Sequence, residues 1–106
     1  MTSRLEKLEG MYAEDPQDTM TRYMLALEVE KTDDNERSLE LLSSLMSDSP
    51  AYVPAFLMAG QQLAKIGRIA DARETYRKGI AEAQLQKNDH ASGEMSQFMA
   101  ELPADG

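Results

Sequence analysis

The sequence predicts an all-α protein of about six helices arranged as antiparallel pairs, and three observations carry that prediction. Apolar residues recur at spacings of three and four through nearly the whole chain, as amphipathic helices require. Prolines and Asn-Asp or Gly breaks interrupt the pattern at short intervals, which leaves only tight turns between helices. Sliding the chain against itself by about 34 residues, the length of a helix-pair repeat, brings Pro16 onto Pro50 and Leu5, Glu6, Leu8 and Met11 onto Leu39, Glu40, Leu42 and Leu45. Met24 falls on Met58 and Lys31 on Lys65 in the same register. The matches sit at apolar positions of the helical patterns, so what repeats is a packing scheme.

The first helix, near residues 3 to 14, sets Leu5, Leu8, Met11 and Tyr12 on one face with Arg4, Lys7 and Glu9 opposite, and ends before Pro16. The second, about 17 to 31, contains Tyr23-Met-Leu-Ala-Leu and then Val29. That apolar surface is too broad for one stripe and suits a helix with several neighbours at the centre of the core. Thr32-Asp-Asp-Asn ends it, and a third helix over about 35 to 47 turns Leu39, Leu42, Leu45 and Met46 inward before Ser47-Asp-Ser-Pro50 stops it. Pro54 fits the first turn of a fourth helix starting near Val53, where amides have no intrahelical partner. Phe56, Ala59, Gly60 and Leu63 then face inward, and Gly67 is placed for a left-handed stop. The fifth helix runs from about Ile69 to Lys87 through Ala72, Tyr76, Gly79, Ile80 and Leu85, without a closing proline. After the Asn88-Asp89 break, Met95, Phe98, Met99 and Leu102 form the apolar face of a last helix whose other face, with Glu94, Gln97 and Glu101, is polar, as a terminal cap needs.

These residues resemble the tetratricopeptide repeat family. Its pattern sets an aromatic, large, small and large residue along one helix, and a small residue, an aromatic and a proline along the next. Phe56, Ala59, Gly60 and Leu63, then Gly67, then Ala72, Tyr76 and Gly79 match it well. An earlier copy from Thr19 supplies Leu25, Ala26, Val29, Ser38, Leu42, Leu45 and Pro50, but is degenerate, with Arg22 where the pattern has an aromatic. Leu8, Met11 and Pro16 fit the end of a still earlier copy. The resemblance implies a right-handed superhelical stack in one domain over 1–102: a half repeat at 3–16, repeats at 19–52 and 53–86, and a capping helix at 89–102, followed by a frayed tail at 103–106. A plain helical bundle would use the same apolar faces without needing the small residues Gly60, Ala72 and Gly79 at helix crossings.

Composition narrows the function. The chain has 106 residues, 42% hydrophobic and 28% charged, enough for one domain with one core. It has no cysteine, which excludes disulfides, thiol catalysis and sulfur-ligated metals. Eleven basic against nineteen acidic residues give a net charge of −8, which disfavours nucleic acid as a partner. No window approaches the roughly 18 apolar residues of a membrane span, and Met1-Thr-Ser-Arg-Leu-Glu-Lys lacks a signal-peptide core, so a cytoplasmic protein is expected. The single histidine, His90, has no nucleophile motif around it, and no Gly-rich loop precedes a Lys-Ser or Lys-Thr pair. The acidic clusters Glu14-Asp15 with Asp18 and Asp33-Asp34-Asn35-Glu36 lack the order of ligands in a calcium loop and read as solvated helix caps. No catalytic residue, cofactor or metal is expected.

By the resemblance, first helices line a concave groove for an extended or helical peptide. Its positions here are Met20, Tyr23, Met24, Leu27 and Lys31 in the first copy and Leu57, Met58, Gln61 and Lys65 in the second. Some family members clamp carboxylate tails with lysines and asparagines. The matching positions here are Tyr23, Leu27 and Met58, with Asn88 and Ser92 in the partial third copy, so that clamp is missing. An apolar partner segment is expected instead, with methionines that adapt to several shapes. Met and Leu at helical spacing also read as plain core, and a second copy of the chain in the groove would make a homo-oligomer. Charge is uneven: residues 51–106 hold six basic and seven acidic side chains against five and twelve in 1–50. Arg68, Arg73, Arg77 and Lys78 form a candidate basic face for an acidic partner, or an ordinary solvated face carrying pairs such as Glu74 with Lys78.

Overall fold

A computed structural model describes residues 3–104. Six helices form, α1 Arg4–Glu14, α2 Thr19–Glu30, α3 Asn35–Met46, α4 Val53–Lys65, α5 Ile69–Leu85 and α6 Asp89–Ala100, and no strand occurs among the described residues. The chain divides between Ser49 and Pro50 into two compact units.

Side-chain caps set where most of the helices begin. The Ser3 hydroxyl accepts the Glu6 amide at 3.1 Å, and Asp34 accepts the Arg37 amide at 3.2 Å. Asp18 accepts both the amide and the hydroxyl of Thr21, at 2.9 and 2.7 Å, so α2 starts at Thr19 rather than at 17. Left-handed residues set three of the ends. Asp33, Gly67 and Lys87 adopt φ of 65°, 86° and 59°, and the first two stand one repeat apart in the turns after α2 and α4. Beyond Gly67 the Arg68 amide reaches back to Leu63 O at 2.9 Å; beyond Lys87 the Asn88 amide reaches Ala83 O at 2.8 Å. That closure ends α5 at Leu85, two residues before the expected stop, and α6 ends at Ala100.

In the first unit α2 packs against both α1 and α3. Leu8, Leu25, Ala26, Val29, Leu42 and Leu45 are buried as expected of an inward face. The α3 stripe is rotated from the expected one: Ser38, Leu41, Leu42 and Leu45 are buried, while Leu39 and Met46 are only half-buried. The cause is a close helix crossing at which Ser38 meets Ala26, its hydroxyl donating to Ala26 O at 2.7 Å and so satisfying a buried donor. Met11, expected inward, is 45% exposed.

In the second unit α5 packs between α4 and α6, which also touch each other. Its core is Phe56, Ala59, Leu63, Ala72, Tyr76, Ala83 and Met95, with Gly60 and Gly79 buried among them. A Cβ on Gly60 would fall 2.6 Å from Tyr76 Cζ, and one on Gly79 would fall 2.5 Å from Phe56 Cβ and 2.6 Å from Met95 Sδ. Both glycines are therefore required by contact, as the crossing of antiparallel helix pairs demands. Leu85, expected along the inward run of α5, is its last residue and is 78% exposed. Of the expected tail, the Pro103 carbonyl accepts from Arg73 at 2.5 Å, and Asp105 and Gly106 lie outside the described residues.

Candidate functional site

The period of helix starts locates the site. The N-caps of α2 and α4, Asp18 and Tyr52, are 34 residues apart, whereas Tyr52 and Asn88, before α6, are 36 apart. The extra two residues are a net gain at α5, which has 17 residues against 12 in α3 while the turn that follows it is three residues shorter. The strict 34-residue register therefore slips by two at the third copy. Asn88 spends its side-chain oxygen on the Ala91 amide at 3.1 Å, and Ser92 is buried. The residues that take their places in register are His90 and Glu94.

Those two residues line a cleft in the second unit. Val53, Pro54 and Leu57 of α4 and Ala91 and Met95 of α6 form its apolar wall, with Asn88, His90 and Glu94 around it, enclosing about 230 Å³. A second cleft of about 350 Å³ follows along the same two helices. Gln61, Ala64 and Lys65 of α4 and Phe98, Glu101 and Leu102 line it, over Tyr76. Tyr76 is stacked with Phe98 at 6.3 Å between ring centroids. Burial first, and then the nearby Glu101 carboxylate, push the Tyr76 phenol above its ordinary pKa, so it stays neutral as part of the floor.

Of the nine expected groove positions, Leu57 lines the first of these clefts and Gln61 and Lys65 the second, while Met58 is half-buried and lines neither. In the first unit Met20 is 50% exposed, and Tyr23, Met24 and Leu27 are half-buried along α2. Lys31 caps the end of α2 with its ammonium 3.0 Å from Glu28, a carboxylate that Arg4 also approaches at 3.5 Å. The first unit has a cleft of its own, of about 250 Å³, between Tyr12 of α1 and Arg37, Glu40, Leu41 and Ser44 of α3. Its one cation is held by a bidentate bond to Glu9, with Arg37 Nη2 2.6 Å from Glu9 Oε1.

The four residues of the expected basic face are mostly engaged. Arg68 pairs with Asp71 at 2.7 Å, Arg77 with Glu74, and Arg73 donates to Pro103 O. Glu74 thus takes Arg77 rather than Lys78 as its bonded partner, the three-residue spacing giving a bidentate fork that the lysine lacks. Sequence reasoning missed Arg22. Its guanidinium is buried in the first unit, 2.6 Å from Asp48 Oδ2, 2.9 Å from Gln17 O and 3.3 Å from Ser44 Oγ. Arg22 fills the place where the repeat has an aromatic, with its partners supplied by the end of α3.

Among the described residues no group of three or more metal-ligating side chains converges, and no helix is long and apolar enough to cross a membrane. The fold and this site define a class: an all-helical repeat protein that offers surface clefts between helices. No family model matches the chain. The solution structure of a tetratricopeptide repeat domain protein from Salinibacter ruber is similar to it at a TM-score of 0.75 and 32% identity, over 81% of this chain and 87% of that one. A Bordetella parapertussis protein solved in solution aligns at a TM-score of 0.78 and 25% identity, over 94% of this chain and 87% of that one. A TPR repeat-containing protein of Pseudomonas aeruginosa is 28% identical over 98 residues, covering 92% of this chain and 93% of the relative. The chain belongs to the tetratricopeptide repeat family, whose members are in general non-catalytic protein-interaction modules.

Proposed function

We propose that this protein is a non-catalytic module that holds a segment of a partner protein along the α4–α6 face of its second unit. The observation that carries the reading is the pair of successive clefts on two first helices of the repeat, apolar in their walls and polar at their edges. Such a surface is preformed, so binding would cost little ordering of the module, and affinity would come from apolar anchors seated in the clefts. Leu57 and Lys65 are about 12 Å apart along α4 at 1.5 Å per residue, which an extended peptide spans in about four residues. Met20, Tyr23, Met24, Leu27 and Lys31 of α2 occupy the same repeat positions in the first unit and would offer a second stretch of apolar surface.

The test is panning a random peptide display library against the full chain, then measuring the selected peptides against Leu57→Asn. Peptides that bind the wild type and lose affinity for a variant whose circular dichroism is unchanged support the reading. Selected peptides that bind both chains equally would refute it.

A further inference from the structure

The α4–α6 face carries a charge asymmetry that its apolar walls do not explain. α6 contains Asp89, and Glu94 and Glu101 follow along it and at its C-cap, with no lysine or arginine from 89 to 101. Among the described residues none of these three carboxylates forms an ion pair, whereas on α5 Asp71 and Glu74 are paired with Arg68 and Arg77. The positive end of the α6 dipole is already met by the Asn88 cap and by Asp89 in the first turn. Glu94 is thus not needed there, yet it stands at the edge of the first cleft, and Glu101 at the edge of the second. They are seven positions apart, about 10 Å along a helix. The other ionisable groups at the two clefts are His90 at the first and Lys65 and the Tyr76 phenol at the second.

Resting on the peptide-docking reading above, we infer that this face takes a cationic apolar segment: a stretch of a partner protein whose apolar side chains fill the two clefts and whose lysines or arginines pair with Glu94 and Glu101. An acidic tail would meet like charge at Glu94 and again at Glu101, with Lys65 the one opposite charge, beside the second cleft. A second copy of this chain, with its net charge of −8, would meet repulsion as well. Opposite charges at the edge of an apolar contact chiefly raise the association rate and set specificity, so binding should also weaken as salt screens them.

The experiment uses peptides selected from an unbiased display library on the full chain, with affinities measured by fluorescence anisotropy for the wild type, for the Glu94→Gln, Glu101→Gln double variant and for Leu57→Asn. Both carboxylates are exposed and their amides nearly isosteric, so the double variant should keep its fold, which circular dichroism checks. The expected result is enrichment of Lys or Arg beside apolar residues, with affinity falling on the order of tenfold in the double variant, and falling again between about 0.1 and 1 M salt, where the Debye length shrinks from roughly 10 to 3 Å. Peptides with acidic or neutral flanks that lose affinity only for Leu57→Asn would overturn the cationic class and leave the docking reading standing. No selected peptide sensitive to Leu57→Asn, or a dimer by light scattering that excludes peptide, would overturn both.

Discussion

Arg22 and Asp48 form an unequal pair, and the inequality decides what each substitution does. The arginine side chain is 6% exposed and the aspartate side chain 34% exposed. Removing the aspartate strands a buried charge, while removing the arginine leaves a carboxylate that water can reach. Arg22→Met is expected to change stability by no more than about 1 kcal/mol, because an apolar side chain there restores the repeat's usual chemistry. Asp48→Ala is expected to cost more, and urea unfolding of the two variants gives the order directly. The glycines separate in the same way. Gly60→Ala presses on the buried Tyr76 ring and Gly79→Ala on Phe56, so each should lose roughly 1 to 3 kcal/mol by overpacking. Gly93, also helical, has nothing within 4 Å of a Cβ, and Gly93→Ala should gain about 0.5 to 1 kcal/mol from helix propensity alone. Thermal melts of the three variants check the assignment.

The turns are where residue identity and element geometry meet. Gly67 holds its left-handed conformation without strain, while Asp33 and Lys87 hold the same conformation with a side chain. Asp33→Gly and Lys87→Gly are therefore expected to stabilise by up to about 1 kcal/mol, and Gly67→Ala to destabilise by about 1 to 2 kcal/mol, in chemical denaturation. Helix number and type were legible in the sequence because long apolar stripes at spacings of three and four leave little alternative. The small residues Gly60, Ala72 and Gly79 were legible because they fall at the small positions of the repeat pattern, where helices cross closely, as the helical Gly93 does not. Leu39 was misread as core because stripe counting cannot see that Ser38, with its hydroxyl bonded to Ala26 O, is the residue a close crossing selects. The candidate site was half legible. Leu57, Gln61 and Lys65 followed from the repeat positions, but His90 and Glu94 were hidden by the net two-residue lengthening of the repeat at α5. The missing proline at the end of that helix was the one available signal.

Over the whole molecule, electrostatics set the pH range of the fold. Hydrogen bonds from Arg37, the Thr21 hydroxyl, Arg22 and Arg77 hold Glu9, Asp18, Asp48 and Glu74 below their ordinary pKa values. Each such carboxylate stabilises the folded state above its unfolded pKa of about 4, and that contribution is lost as pH falls through the lower folded value. Tyr76 acts on the other side. Its folded pKa is raised, so the unfolded chain ionises first and stability falls as pH rises past about 10. Melting temperature is thus expected to be flat between about pH 5 and 9 and to fall outside it.

Amide chemical-shift mapping of the 106-residue chain during titration with a selected peptide tests the docking surface most directly. The largest changes are expected at Leu57, Lys65, Ala91, Glu94 and Phe98, along α4 and α6. Changes concentrated on the exposed side of α5 around Arg73 and Arg77, or on α1 and α3, would contradict it.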